Sequence, residues 1–258
     1  MSGFACVDGS PDPARLLAFL DMAAVAESGM KHYAAAAHAL RAPEAPIIDL
    51  GCGAGHDLVL LGAAGLPVVG VDPSAVMVAA ARRRAAGEGR AVPLVRADGG
   101  RLPLRTGGLG GCRMERVLMH VEDPGAVLAE VARCVRPGGL VTVCEPDWSR
   151  FTVRSDVIPG PVGWMSAARH PGIGGELWGL MEDAGFAVED QVEELSVWRT
   201  LERLERITGF PLAVERAVAR GQIDAGVARR WVAEQRARGA RGILYATLPK
   251  IQIVAARR

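Results

Sequence analysis

Apolar and polar positions along this chain change their period several times. "DPARLLAFLDMAAV" and "GMKHYAAAAHALR" repeat their apolar residues at helical spacing and predict two helices ahead of any strand. From there, short apolar runs of strand length alternate with helix-period segments. Strand "PIIDL" leads to a helix after His56, strand "PVVGVD" to the helix "PSAVMVAAARRRAA", and "VPLVRAD" supplies a short third strand. A weak strand at "CRMERVLMHV", the helix "PGAVLAEVARCV" closed by "RPGG", and the strand "LVTVCEPDW" continue the series. Val127, Leu128, Val131 and Val135 give that last helix an apolar stripe. Alternation of this kind predicts a parallel sheet with helices on both faces.

After Ser149 the alternation breaks. A Pro- and Gly-rich insertion runs to Gly175, followed by the helix "GELWGLMEDAG" and a strand near "FAVEDQVEELSV". Two amphipathic helices are expected from about Leu201 to Gly239, then a closing strand "YATLPKIQIVAA". The chain has no internal repeat and no low-complexity linker, so one domain over residues 1–258 is the expectation.

Composition narrows the function. Half of the 258 residues are apolar, enough for a sizeable core, and a formal net charge of +1 with interspersed signs gives no footprint for nucleic acid or an anionic membrane. Arg-rich stretches such as "ARRRAAGEGR" and "EQRARGARG" read as solvated helix faces balanced by acids. Cys6, Cys52, Cys112, Cys134 and Cys144 show neither metal-ligand spacing nor a disulfide framework. No leader pattern and no run of roughly 20 apolar residues is present. A cytoplasmic soluble protein with reduced thiols, no bound metal and a small-molecule partner is expected; the sequence leaves monomer and homodimer open.

The sharpest local signal is "PIIDLGCGAGHD". In an open α/β sheet, ligands bind beyond the carboxyl ends of the strands, where Asp49, Gly51, Gly53 and Gly55 fall. Asp72 closes the second strand, where a carboxylate can accept hydrogen bonds from both ribose hydroxyls, which points to a nucleoside. A dinucleotide fingerprint asks for a third glycine where this chain has His56. Asp49 would repel a pyrophosphate but could help to hold an ammonium group, while a carboxylate would suit the N–H groups of the following helix.

"IIDLGCGAG" followed by "VVGVDPS" resembles the first two motifs of class I S-adenosylmethionine-dependent methyltransferases. "VRADGGRLPL" resembles the segment whose acid meets the adenine. "ERVLMHVEDPGAVLAEVARCVRPGGLVTVCEPDW" resembles the stretch from fourth to fifth strand in the small-molecule, type 11-like branch. The likeness spans Pro46 to Trp148 and continues weakly through "HPGIGGELWGLMEDAGF" and the final strand. It implies a Rossmann-like, doubly wound, mostly parallel seven-stranded α/β sheet, with N-terminal helices and helical insertions as a lid. Residues 1–42 would be a helical cap, 43–148 the cofactor-binding core, 149–239 the substrate side and 240–258 the closing strand.

Carried over residue by residue, the resemblance puts the methionine part of S-adenosylmethionine against Asp49, Gly51, Cys52 and Gly53, and its ribose on Asp72. Pro73 and Met77 would pack near the adenine, and Asp98 with the Gly99 backbone would meet its amine. Met114, Glu115 and Arg116, just after strand four, would lie beside the methionine end, and Tyr33 and Met30 could close over the cofactor. Similar proteins often have an Asp where this chain has Gly110, which bears on the placement of strand four.

Methyl transfer from a sulfonium is an in-line displacement that needs positioning and dryness more than a covalent intermediate. His120, in "LMHVEDP", is the candidate base, because similar methyltransferases carry a histidine there; a helix-packing role is the alternative. Glu145 and Asp147 could orient His120 or touch substrate, or simply be loop residues. Trp148 is either an acceptor-pocket wall or a core aromatic. His32, His38, His56 and His170 read mainly as surface, packing or helix-start residues.

The expected activity is methyl transfer to a small acceptor, plausibly in secondary metabolism or on a quinone-like molecule. The rival readings are a cyclase or pericyclase that binds S-adenosylmethionine without transferring its methyl, and a catalytically silent binding subunit. A nicotinamide dehydrogenase is opposed by His56 and Asp49. The acceptor, the atom methylated and any lid motion are not legible in the sequence.

Overall fold

The computed structural model describes residues 7–26, 28–41 and 45–258. Its centre is a run of parallel strands, β1 (Ile47–Leu50), β2 (Val68–Asp72), β3 (Leu94–Arg96), β4 (Leu109–Glu115) and β5 (Val135–Pro146), in spatial order β3-β2-β1-β4-β5. All four residues of β1 are buried, as a strand covered on both faces requires. Helices α3 (His56–Ala63), α4 (Ala75–Gly87) and α5 (Pro124–Cys134) form the crossovers. Pro124 opens α5 and Asp123 caps it, accepting the Ala126 amide at 3.0 Å. The expected stripe is buried, with Val127 at 3% exposure and Leu128, Val131 and Val135 at 0%. Each such side chain contributes about 1.5–3 kcal/mol.

Among the described residues the sheet has eight strands where seven are expected. The additional one is β6 (Thr152–Val153), inside the insertion after Ser149, pairing with the start of β8 (Ala246–Arg257). Strand β8 runs antiparallel beside β5, and β7 (Phe186–Trp198) lies antiparallel on its other side. Residues 201–240 form three helices rather than two: α7 (Leu201–Thr208), α8 (Leu212–Ala219) and α9 (Ala225–Ala240). Pro211 interrupts the first pair, and Thr200 and Asp224 cap α7 and α9. Trp231 of α9 meets Trp164 at 5.6 Å and Phe210 at 5.7 Å between ring centroids, tying the insertion to these helices. Helix α6 (Ile173–Asp183) packs beneath β5, β7 and β8.

Strand β4 begins at Leu109 and ends at Glu115, earlier than the expected "CRMERVLMHV". A Cβ at Gly111 would lie 2.5 Å from the Leu140 carbonyl oxygen and 3.1 Å from the His38 ring, so this glycine lets β5 and a helix close in together. That helix is α2 (Ser28–Leu40), preceded by α1 (Pro13–Ala26). Cys52, Cys112, Cys134 and Cys144 are buried free thiols, while Cys6 lies outside the described residues. No helix among the described residues is long and apolar enough to cross a membrane.

Candidate functional site

The turn after β1 is held in the left-handed region at Gly51 (φ 72°), Gly53 (φ 50°) and Gly55 (φ 81°). The amides of Gly51 and Cys52 donate to the Val71 carbonyl at 2.8 and 3.0 Å, folding the turn over the end of β2. A Cβ on Gly51 would fall 2.4 Å from Val117 Cγ2, so the loop behind β4 sits directly on this turn. Cys52 is buried, and burial first, then Asp49 and Asp72, push its thiol pKa well up and keep it protonated.

Asp49 is 1% exposed, and its Oδ1 accepts from Arg113 Nη1 at 3.0 Å. Burial raises its pKa against the pull of that guanidinium. Arg113, on β4 and 4% exposed, also pairs with Asp57 at 3.0 Å and with Glu115. Lys31 of α2 joins the cluster, 2.9 Å from Asp57 and 3.2 Å from Glu115, and Arg116 pairs with Glu115 at 3.6 Å. Burial works against the charge on Arg113, and the three carboxylates around it outweigh that. One Asp49 oxygen is therefore taken by Arg113. Asp49 Oδ2 is buried and has no hydrogen-bond partner among the described residues.

Asp72 ends β2 at 7% exposure, its Oδ2 accepting the Gly53 amide at 3.0 Å and its Oδ1 the Ser74 amide at 2.9 Å. Burial raises its pKa and the two amides oppose this. Each oxygen keeps a second lone pair. Met77 on α4 and Gly99 after β3 are buried, and Pro73 is exposed with its carbonyl accepting from Arg96 Nε at 3.0 Å. Asp98 is exposed and accepts the Gly100 amide at 2.8 Å.

Met114 and Glu115 are the last residues of β4 and not part of the following loop, and Met114 is 1% exposed in the core. Arg116 has φ 55°, a strained value for a residue other than glycine, and its amide donates to the Cys144 carbonyl at 2.9 Å. The chain then turns through Val117 and Leu118, whose amides donate to Glu145 Oε1 at 2.7 Å each. Glu145 is fully buried, and burial pushes its carboxyl up to about 8 against those donors. It thus sets the loop carrying His120 through the backbone. Burial, and then the Arg116 guanidinium, push the His120 imidazole down to about 4. His120 lines a cavity of about 510 Å³ together with Met165, Arg169, Thr208, Arg216 and Arg220.

The other candidates have contacts of their own. Asp147 accepts from the amide of Ser149 at 3.1 Å and from its hydroxyl, capping a short 3-10 turn over Trp148–Arg150. Tyr33 is 41% exposed and donates to Asp190 on β7. Met30, on the buried face of α2, contacts Cys144 at 3.8 Å. Trp148 stacks edge-on against Phe151 at 5.3 Å as part of the core.

Three other histidines bond protein groups: His38 bonds Thr142 at 3.2 Å, His56 bonds Asp21 at 2.9 Å, and His170 bonds the Val121 carbonyl at 3.1 Å. His32 lines a second cavity, of about 490 Å³, with Asp21, Lys31 and Arg84.

Sequence reasoning missed the residues that fasten the N-terminal segment over the site. A Cβ on Gly53 would meet Leu20 of α1 at 3.2 Å. Asp8 accepts the Ala75 and Val76 amides at 3.0 and 3.2 Å and the Ser74 hydroxyl, crossing the start of α4 beside Asp72. Arg113 and Lys31 were missed as well, because their partners come from distant elements.

Residues 48–143 match the family model described as a methyltransferase domain. Over 228 residues the chain is 35% identical to an uncharacterized 37.1 kDa protein in transposon TN4556 of Streptomyces fradiae, covering 84% of this chain and 65% of that protein. It is 38% identical over 103 residues to a demethylmenaquinone methyltransferase of Corynebacterium kroppenstedtii, covering 40% of this chain and 42% of that enzyme. The chain thus spans less than two thirds of the length of these relatives. Among solved structures, a geranyl diphosphate methyltransferase in complex with SAM superposes with a TM-score of 0.56 at 20% identity, over 99% of this chain and 94% of that one. The 4+2 cyclase SpnF superposes with a TM-score of 0.52 at 20% identity, over 83% of this chain and 75% of that one. At such identity these two likenesses speak for the fold.

Proposed function

We propose that this chain, whose residues 48–143 match a methyltransferase domain, is a class I S-adenosylmethionine-dependent methyltransferase that transfers a methyl group to a small organic acceptor. The observation that carries this is the pair of carboxylates flanking the glycine turn. Asp49 presents a buried oxygen without a partner, and Asp72 is anchored by two amides with lone pairs to spare. A ligand with an ammonium at one end and a ribose diol further along fits that pair, and S-adenosylmethionine carries both.

Asp49 Oδ2 would take the ammonium, and Gly51, Cys52 and Gly53 would give their backbones to the methionine part. Asp72 would hold the ribose. Met77, Pro73, Asp98 and Gly99 would border the adenine. Glu115 and Arg116 would act from the end of β4, Glu115 chiefly by fixing Arg113 and Lys31. Bound there, the cofactor supplies a sulfonium-activated methyl. The Val117 loop and Leu20 exclude water from both sides of the turn. His120, kept neutral by burial, would take a proton from an acceptor in the cavity it lines. Residues 1–42 would act as the cap, 43–148 as the cofactor core, and 149–239 as the acceptor side.

Similarity to a demethylmenaquinone methyltransferase supports a quinone-like or secondary-metabolite acceptor. The buried free cysteines support a reducing, cytoplasmic setting. The test is incubation of candidate acceptors with S-adenosylmethionine labelled in its methyl carbon. Label in the product supports the proposal. A product formed without label identifies a cyclase-type reaction, and cofactor binding without any turnover identifies a silent binding subunit.

A further inference from the structure

The cavity in front of His120 is lined by cations. The chain as a whole is nearly balanced, with 30 basic and 29 acidic residues, and several exposed arginines elsewhere sit beside an acid: Arg41 with Glu189, Arg96 with Asp8, Arg150 with Glu193, Arg206 with Glu202. Around this cavity of about 510 Å³ stand Arg169, Arg216 and Arg220, and among the described residues no Asp or Glu lines it. The side chains of Arg169 and Arg216 make no hydrogen bond or ion pair among the described residues. Arg220 is oriented by protein acceptors, Nε to Gln222 Oε1 at 2.9 Å and Nη2 to the Trp164 carbonyl at 3.3 Å, which leaves Nη1 for a ligand.

The three arginines come from two converging elements. Arg216 and Arg220 are four residues apart along α8 and its C-cap, on one helix face, where the helix C-terminus favours cations. Arg169 is brought opposite by its own amide, which donates to the Met119 carbonyl at 3.0 Å in the loop that also carries His120. Guanidinium groups recognise planar and tetrahedral oxyanions through paired N–H donors.

We infer that the acceptor carries an oxyanion group, carboxylate or phosphate, which Arg169, Arg216 and Arg220 hold at the cavity mouth so that the rest of the molecule reaches His120. This rests on the methyltransferase reading for the reaction, but the anion site itself does not depend on it. An oxyanion there offsets part of the positive charge that the three guanidiniums bring to the cavity, and it fixes one end of the acceptor.

The experiment is isothermal titration at low ionic strength of the full chain, with and without S-adenosylhomocysteine, using inorganic phosphate, pyrophosphate, benzoate and the neutral isostere benzamide as probes. At least one of the anions should bind saturably at millimolar concentration or below, and benzamide should not bind. Binding should weaken about tenfold or more in Arg216→Gln/Arg220→Gln, about 1.4 kcal/mol or more. It should be unchanged in Arg206→Gln, whose arginine pairs with Glu202 away from the cavity. Preference for the phosphates or for benzoate assigns the oxyanion. No saturable anion binding, or equal binding in the double variant, overturns the inference. S-adenosylhomocysteine is titrated into the same samples, so absent cofactor binding with intact anion binding counts against the methyltransferase reading alone.

Discussion

Glu145 Oε1 accepts the Val117 and Leu118 amides at 2.7 Å each, so a buried side chain on β5 fixes the loop that begins on β4. Burial holds this carboxyl at about 8, above the 4.5 of a free glutamate. A group whose folded pKa is raised contributes stability that is complete below the unfolded value and lost as pH rises through the folded one. Urea unfolding of the wild type should therefore weaken between pH 4.5 and 8, with a slope of up to about 1.4 kcal/mol per pH unit from this residue. Glu145→Gln keeps the acceptor and removes the titration, so its stability relative to wild type should improve steadily across that window. A constant difference between the two proteins would contradict the role given to Glu145.

Arg113 is the hub of a cluster that includes Asp49, Asp57 and Glu115. Arg113→Met leaves these buried carboxylates short of their main cation and should cost about 3–5 kcal/mol in denaturant unfolding. Adding Glu115→Gln should recover part of that loss, because one of the stranded charges disappears. An Arg113→Met protein as stable as wild type would show that the cluster is not held by charge.

His120→Ala should lower turnover by about 10²–10⁴-fold if the acceptor arrives protonated, with S-adenosylhomocysteine affinity unchanged. Burial and the Arg116 guanidinium hold the His120 imidazole at about 4, so the acid limb of kcat/KM should fall near pH 4 and not near 6.5. Unchanged turnover in the alanine variant removes His120 from the chemistry and leaves the cofactor site untouched.

Much of this was legible in the sequence, and the failures share a cause. β1 and β2 are buried on both faces and read as continuous Val and Ile runs, and α5 reads as a stripe with a cap. β4 misreads because Gly110 and Gly111 interrupt its apolar run, and because Arg113 and Glu115 are satisfied by Lys31, Asp49 and Asp57 from other elements. The glycine turn and Asp72 were legible because their backbone conformation and position leave few alternatives. The contact of Tyr33 with Asp190 was not legible because α2 is rich in alanine: its buried face is Met30, Lys31, Ala34, Ala35 and His38, which turns Tyr33 toward β7. Arg216 and Arg220 look like a solvated helix face until the 165–169 segment and His120 close a cavity beside them.

The most direct measurement is calorimetric titration of S-adenosylhomocysteine into the wild type and into Asp72→Ala, each checked for folding by circular dichroism. The account predicts one-to-one binding by the wild type at micromolar concentration and about 10–100-fold weaker binding once the ribose carboxylate is gone, as expected for charge-assisted hydrogen bonds worth about 1.5–3 kcal/mol. No binding by the folded wild type at hundreds of micromolar, or equal affinity in the two proteins, would contradict it.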